Sequence, residues 1–436
     1  MPNAHSKNTV RYYLLLVFFM AFLFFSNDFG LTDVQKTAIV MAVGIDREDD
    51  AFILTSQIAV PQSSKQSNTT QAVQIVSRGK TIADAFEEIN AKTGWYPKLV
   101  FCHLIILGEK TAQQNVFDCL DYFLRDEYLS DNCLLATCDG FAKDLLNVNA
   151  LVDPSGSVAM QKVLSSHAER VGAVLPATLR DFAIGYFSES RCGFLPIIKT
   201  QPQQEKIGEE SSSQENSANS SENSSDLSSG ASDSSNESNA SSNESNSSGQ
   251  SPTSDSSQSS KSADDKEKPV FSAGETALFV DGKRVDKFTR EETFAFGAVM
   301  NKLRLAKYTA PVQEETCTLT IRQNQPKTQL SIGQNDKISF KIRVVLTAGI
   351  ADYSKSQDLE NISDAGNLPR GALQSAEKKL SAEILRVFEK CRLSGCDLFG
   401  IQERLVKYEK KHAKRLADSA LLNAIADVEV HFKSVR

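Results

Sequence analysis

Residues 37–61 read "TAIVMAVGIDREDDAFILTSQIAVP". Two apolar, β-branched runs flank the charged stretch Arg47 to Asp50, the pattern of a strand, a turn and a second strand. Downstream, "TIADAFEEINAKTG" (81–94) places Ile82, Phe86 and Ile89 at helical spacing, with Thr81 as N-cap and Gly94 as stop. "LVFCHLIILG" (99–108) is an unbroken apolar run of strand length, expected to form a strand buried on both faces. Helices are expected in "QNVFDCLDYFLRD" (114–126), "FAKDLLN" (141–147), "MQKVLSSHAERVG" (160–172) and "LPATLRDFAIGYF" (175–187), and a strand in "NCLLATCD" (132–139). This alternation argues a mixed α/β domain over 32–200.

The second half begins with "ETALFVDGKRVDKF" (275–288), a hairpin on an Asp-Gly turn. Thr289, with Glu292 three residues on, forms a capping box that opens a helix. These pieces are read as a small hairpin-plus-helix middle domain, 269–312. "TCTLTIRQ" (316–323), "TQLSIGQ" (328–334) and "KISFKIRVVLTAGIADY" (337–353) alternate with period two. Helical stretches 371–392 and 395–419 follow, then a last strand, "ADVEVHFKSV" (426–435). The region 313–436 reads as a C-terminal α+β domain.

Between the halves, residues 201–268 are dominated by Ser, Asn, Glu and Asp. Such a stretch has almost nothing apolar to bury and cannot offset the entropy of ordering, so a disordered linker is expected. Its N-x-S triplets arise from composition.

The N-terminus, 1–31, carries the apolar run Tyr12 to Phe25, preceded by Lys7 and Arg11. As a helix it spans roughly 21 Å, short of the hydrocarbon core of about 30 Å. It ends on bulky Leu23, Phe24 and Phe25, where a signal peptidase wants small residues, and the first cysteine is Cys102. The stretch is read as an uncleaved signal-anchor with the body exported; the alternative is a cleaved signal.

The net charge of −7 fits nucleic acid poorly, since that ligand asks for a basic patch. The eight cysteines have no C-x-x-C spacing and read as packed thiols. "RGKT" (78–81) resembles the end of a phosphate-binding loop, but Gln74 stands where that loop needs glycine. His103 follows Cys102, and adjacent strand residues point to opposite faces, so the two form no nucleophile pair. No catalytic residue, cofactor site or metal site is expected.

Taken in order, the pieces "TAIVMAVGIDREDDAFILTSQIAVP", "SRGKTIADAFEEINAKTG", "LVFCHLIILGEKTAQQNVFDCLDYFLRDEYL", "AGETALFVDGKRVDKFTREET", "EILRVFEKCRLSGCDLFGIQERLVK" and "DVEVHF" resemble the Ger(x)C family, the C subunits of bacterial spore germinant receptors. The resemblance implies a mixed α/β, multi-domain ectodomain behind one membrane segment and no enzyme activity. It implies attachment on the extracytoplasmic face of the spore inner membrane beside membrane-embedded A- and B-type subunits. Gly44, Asp46, Gly79, Thr81, Arg125, Asp126, Gly274, Asp397 and Gly400 are the family-pattern positions, expected to be fold determinants or partner contacts. The family typically has a lipobox cysteine, which this chain lacks, so the opening stretch would take over the role of a lipid. The reading that follows is a non-enzymatic receptor subunit for nutrient-triggered germination. The runner-up is a stand-alone, membrane-tethered binder of a small ligand, and a cell-wall enzyme is a third.

Overall fold

The computed structural model describes residues 4–26, 37–60, 71–148, 153, 155–165, 172, 174–201, 270–312, 315–333, 336–353 and 370–434. Strand β1 (Thr37–Glu48) and strand β2 (Ala51–Val60) pair antiparallel, with Glu48 opposite Ala51 and Asp49 in the left-handed region at φ 52°. An aspartate tolerates that conformation better than a branched residue does. Strand β3 (Gln71–Gly79) adds to the outer edge of β2. Helix α2 (Ile82–Thr93) follows, capped as the sequence implies: the Thr81 hydroxyl accepts from Asp84 N–H, the Asp84 carboxylate accepts from Thr81 N–H, and Gly94 closes it at φ 71°.

The apolar run 99–108 departs from expectation. Only β5 (Leu104–Leu107) is strand; it pairs parallel with Ala42–Ile45 of β1. A short β4 (Tyr96–Lys98) occupies the same edge of β1 beside Thr37–Ile39. Between them β1 bulges, its register shifting between Val40 and Ala42, and the Met41 carbonyl accepts from His103 N–H at 3.0 Å. The chain turns at this break, with Cys102 N–H donating to the Leu99 carbonyl at 2.8 Å and Val100 and Phe101 exposed. A bulge leaves a residue outside the ladder and bends the edge, which is why one long strand cannot form here.

After helices α3 (Glu109–Ala112) and α4 (Phe117–Arg125) comes β6 (Leu134–Cys138), parallel to β5. Helices α5 (Ala142–Leu146), α6 (Gly156–Leu164) and α7 (Leu179–Tyr186) lead to β7 (Cys192–Gln201), parallel to β6. Strands β8 (Val270–Val280) and β9 (Lys283–Phe288) complete the sheet, in the order β3-β2-β1-β5-β6-β7-β8-β9. Both faces are covered. Val43, Ile45, Ile105 and Leu107 share a core with α2, α4 and α7, while Ala42, Leu104 and Ile106 share another with α5 and α6.

The Ser-rich tract lies, but for Gln201, outside the described residues. Its flanks are placed: β7 and β8 are antiparallel neighbours, with Gln201 opposite Val270. The β8–β9 hairpin turns on Asp281 (φ 49°) and Gly282 (φ 73°), as an Asp-Gly pair allows. Rather than opening a separate middle domain, this hairpin extends the first sheet. Arg284 pairs with Asp139 at 2.9 Å, and Lys199 and Lys287 hold Glu275 at 2.7 and 3.0 Å, so β9 is bound back to the earlier strands.

A second sheet runs β10 (Ala306–Val312), β11 (Glu315–Ile332), β12 (Ile338–Tyr353), β13 (Ala424–Ser434). The alternating stretch expected at 316–323 and residues 328–332 of the next are parts of one strand, carried past Pro326 with a register shift between Ile321 and Gln323; Gln334 lies outside the described residues. Helices α8 (Arg290–Val299), α9 (Arg370–Ser394), α10 (Ile401–Tyr408) and α11 (Lys410–Leu416) accompany this sheet. Phe340, Phe388 and Phe399 cluster against it with centroids 5.3–6.1 Å apart, Phe340 stacked on Phe388 and edge-on to Phe399, and Phe399 meets Phe296 of α8 at 5.9 Å. Phe296 in turn meets Phe194 of β7 at 5.6 Å, so the ring contacts reach from the second sheet to the first. Burying each such ring is worth roughly 1.5–3 kcal/mol.

The N-terminal run forms helix α1 (Ala4–Ser26). Among the described residues no helix is long and apolar enough to cross a membrane.

Candidate partner-binding surfaces

The nine family-pattern positions fall in four places. Gly44 and Asp46 lie on β1 where α5 docks. A Cβ on Gly44 would sit 3.0 Å from Leu146 Cδ1 and 3.1 Å from Ala142 Cβ, so the glycine sets the spacing of helix and strand. Asp46 is buried. Its Oδ1 accepts from Ala142 N–H at 2.8 Å and its Oδ2 from Lys143 N–H at 3.0 Å, capping α5 from a strand 96 residues away. Burial raises its pKa, with the two amide bonds pulling the other way. Gly108 completes the arrangement, since a Cβ there would fall 2.0 Å from Asp46 Oδ1. Sequence reasoning missed Gly108, whose one signal is its place at the end of an apolar strand.

Asp397 and Gly400 repeat the device in the second half. Asp397 Oδ1 accepts from Ile401 N–H at 3.0 Å and Oδ2 from Gln402 N–H at 2.7 Å, while Gly400 enters α10 at φ 66°. Burial raises this pKa also. Beside it lies a thiol pair: the Cys396 thiol next to Cys192 holds the Cys192 thiol below its usual range, and Cys396 Sγ donates to the Phe279 carbonyl at 3.4 Å. No local pattern joins Cys192 to Cys396, and the pairing was not legible in the sequence.

Gly274 stands alone. It is the unpaired residue of a bulge in β8, between Ala273 opposite Ile198 and Glu275 opposite Ile197.

Gly79, Thr81, Arg125 and Asp126 come together. A Cβ on Gly79 would meet Ala85 N at 2.4 Å, so the β3–α2 turn leaves no room for a side chain. That turn serves α2's cap, which accounts for "RGKT" without a phosphate. Asp126 Oδ1 accepts from Tyr128 and Leu129 N–H, both at 2.9 Å, an Asx turn that ends α4. Arg125, its side chain 78% exposed, pairs with Asp121 at 2.9 Å. Thr81, Arg125 and Asp126 line an open groove of about 490 Å³ between α2 and α4, with Asp118, Asp121 and Tyr128. A larger groove, about 780 Å³, runs between α10 and the second half of β11. Arg404 is fixed in it by Thr328 Oγ1 at 2.6 Å and by the face of Phe340, with Lys407 and Tyr408 beyond.

His103 is turned into the fold, and burial lowers its pKa. All eight cysteines are buried. Among the described residues no three His, Cys, Asp or Glu side chains are placed to hold a metal ion.

The arrangement is that of a mixed α/β protein in which the buried carboxylates of Asp46 and Asp397 hold helix backbone and open surface grooves carry exposed charged groups such as Arg125 and Asp121. The chain belongs to the Ger(x)C family of spore germination proteins: residues 31–200 match the spore germination protein N-terminal domain, and residues 274–435 match the spore germination B3/GerAC-like C-terminal domain. It is 31% identical over 146 residues to spore germination protein B3 of Bacillus subtilis (strain 168), covering 32% of this chain and 36% of that protein. It is 20% identical over 177 residues to spore germination protein A3 of the same organism, covering 39% and 46%. The chain thus aligns with less than half the length of these curated relatives. A solved structure, the crystal structure of the GerBC protein, aligns over 90% of this chain and 97% of that one, with a TM-score of 0.47 and 17% identity.

Proposed function

We propose that this chain is a non-enzymatic, membrane-attached subunit of a nutrient germinant receptor that supports receptor assembly or signalling in spore germination. Membership of the Ger(x)C family, matched across both halves, is the observation that carries the reading. In this reading α1 holds the body at the extracytoplasmic face of the spore inner membrane. The partners are membrane-embedded A- and B-type subunits, and the groove around Thr81, Arg125 and Asp126 is where one of them docks. Arg125 supports that assignment: its carboxylate partner is exposed, so the pair adds little to stability and the residue is free to serve recognition.

The test is affinity purification of the tagged full chain from detergent-solubilised membranes of sporulating cells, with mass spectrometry of what accompanies it. Recovery of an integral-membrane A- or B-type subunit is expected. Recovery of an abundant, intact chain alone would overturn the reading in favour of a solitary binder. Arg125→Glu is expected to lower partner recovery while leaving the unfolding temperature unchanged; equal recovery removes the groove from the interface.

A further inference from the structure

The chain has one tryptophan, and it is at the end of the first sheet. Helix α2 stops at Gly94, whose left-handed backbone turns the chain out of the helix, and Trp95 and Tyr96 follow, 43% and 50% exposed. Trp95 forms one wall of an apolar recess of about 210 Å³, lined also by Ala38, Ile58, Ala59, Val73 and Ile75, with Thr93 as the single polar residue. The Thr93 hydroxyl is already engaged, donating to the Ile89 carbonyl at 2.7 Å and accepting from Trp95 N–H at 3.1 Å. The recess therefore makes no polar demand on what enters it. Val73, at its rim, is 46% exposed.

The register fixes where this recess lies. Thr37 pairs with Tyr96, Ile39 with Ala59, and Ala59 with Ala72. All belong to the end of the sheet at which β1 enters from α1. Helix α1 ends at Ser26 and β1 begins at Thr37. Those eleven steps span at most about 40 Å of extended chain. The exposed Trp-Tyr pair and the apolar recess are thus held within a short tether of the segment assigned as the anchor. Trp and Tyr combine an apolar body with a polar tip and favour the level of lipid headgroups.

We propose that this end of the first sheet is a second membrane contact, with Trp95, Tyr96 and Val73 seated in the headgroup region of the bilayer and the recess closed by lipid. It rests on the reading of α1 as an anchor. The contact fixes the orientation of the first sheet on the membrane.

The sole tryptophan is its own probe. The full chain is reconstituted into phosphatidylcholine–phosphatidylglycerol vesicles whose phosphatidylcholine carries bromine high on the acyl chain. Flotation of the vesicles reads the anchor, and Trp95 emission reads the contact. Co-flotation with loss of emission relative to unbrominated vesicles is expected, and Val73→Lys is expected to restore emission while still floating. Co-flotation with full emission, open to aqueous acrylamide, overturns the contact and leaves the anchor standing. Co-flotation with emission shielded from both quenchers means a protein covers the recess, and overturns the lipid assignment. Failure to float overturns the anchor and the contact together.

Discussion

The backbone amide of Asp397 donates to Cys192 Sγ at 3.2 Å, across 205 residues of sequence. One end of this bond is the first residue of β7, in the sheet of the N-terminal half; the other is the residue that caps α10. Replacing the sulfur leaves a buried amide without its acceptor. Cys192→Ala is expected to lower unfolding stability by about 2 kcal/mol, read by urea denaturation. A loss below about 0.5 kcal/mol would mean that the amide finds another partner.

Asp46 makes stability depend on pH in a stated direction. Its folded pKa is raised by burial. The native state therefore binds its proton more readily than the unfolded chain does, and stability attached to this group is full below the unfolded pKa and lost as pH rises through the folded one. Asp46→Asn removes that dependence and one of two cap acceptors, at a cost of about 1–3 kcal/mol near neutrality. The advantage of the native protein over the variant should widen as pH falls from 7 towards the ordinary carboxylate range. A gap that narrows on acidification would contradict the assignment.

Glu292 carries two duties. Its Oε2 accepts from Thr289 N–H at 2.9 Å, closing the capping box, and pairs with Lys390 Nζ at 2.8 Å, joining α8 to α9. Lys390 also donates to the Lys287 carbonyl at 2.8 Å. Glu292→Gln keeps the cap and loses the charge, whereas Glu292→Ala loses both. The expected order of thermal stability is native, then Gln, then Ala, with the Ala variant down by about 2–4 kcal/mol. Equal effects of the two substitutions would show that the cap contributes nothing beside the ion pair.

The Ser-rich tract enters and leaves between two strands that pair with each other. Replacing residues 202–269 by a four-residue turn shortens the loop about seventeenfold, which for a flexible chain lowers the closure cost by about 2–3 kcal/mol. The shortened protein is expected to unfold at a higher temperature than the full chain. A lower unfolding temperature would mean that the tract contributes contacts of its own.

What could be read from the sequence was whatever depends on neighbours along the chain. The Thr81 and Thr289 caps, the Asp281-Gly282 turn and the period-two strands rest on spacings of a few residues. What escaped depends on distant partners. Pro196 interrupts the pattern of β7, and β3 alternates weakly with polar residues among its apolar ones, so neither strand stands out in the sequence. Leu99 to His103 are apolar enough for a strand, and only the bulge at Met41 on β1 turns them aside. Asp46 and Asp397 are expected from the sequence to be fold determinants or partner contacts, but which helix each serves is a tertiary fact. The grouping of Thr81 with Arg125 and Asp126 is likewise made by the packing of α2 against α4.

The aromatic contacts from Phe194 through Phe296 to Phe399, Phe388 and Phe340 join rings from both matched halves. Cut at the Ser-rich tract, the N-terminal piece would bare Phe194 and the β7 edge that pairs with β8, and the C-terminal piece would bare Phe296 and the matching edge of β8, so neither is expected to stay dissolved by itself. Made together in one cell, the pieces would have every reason to find each other. Such a split protein would work as a switchable pair, silent when one piece is withheld and restored when it is supplied.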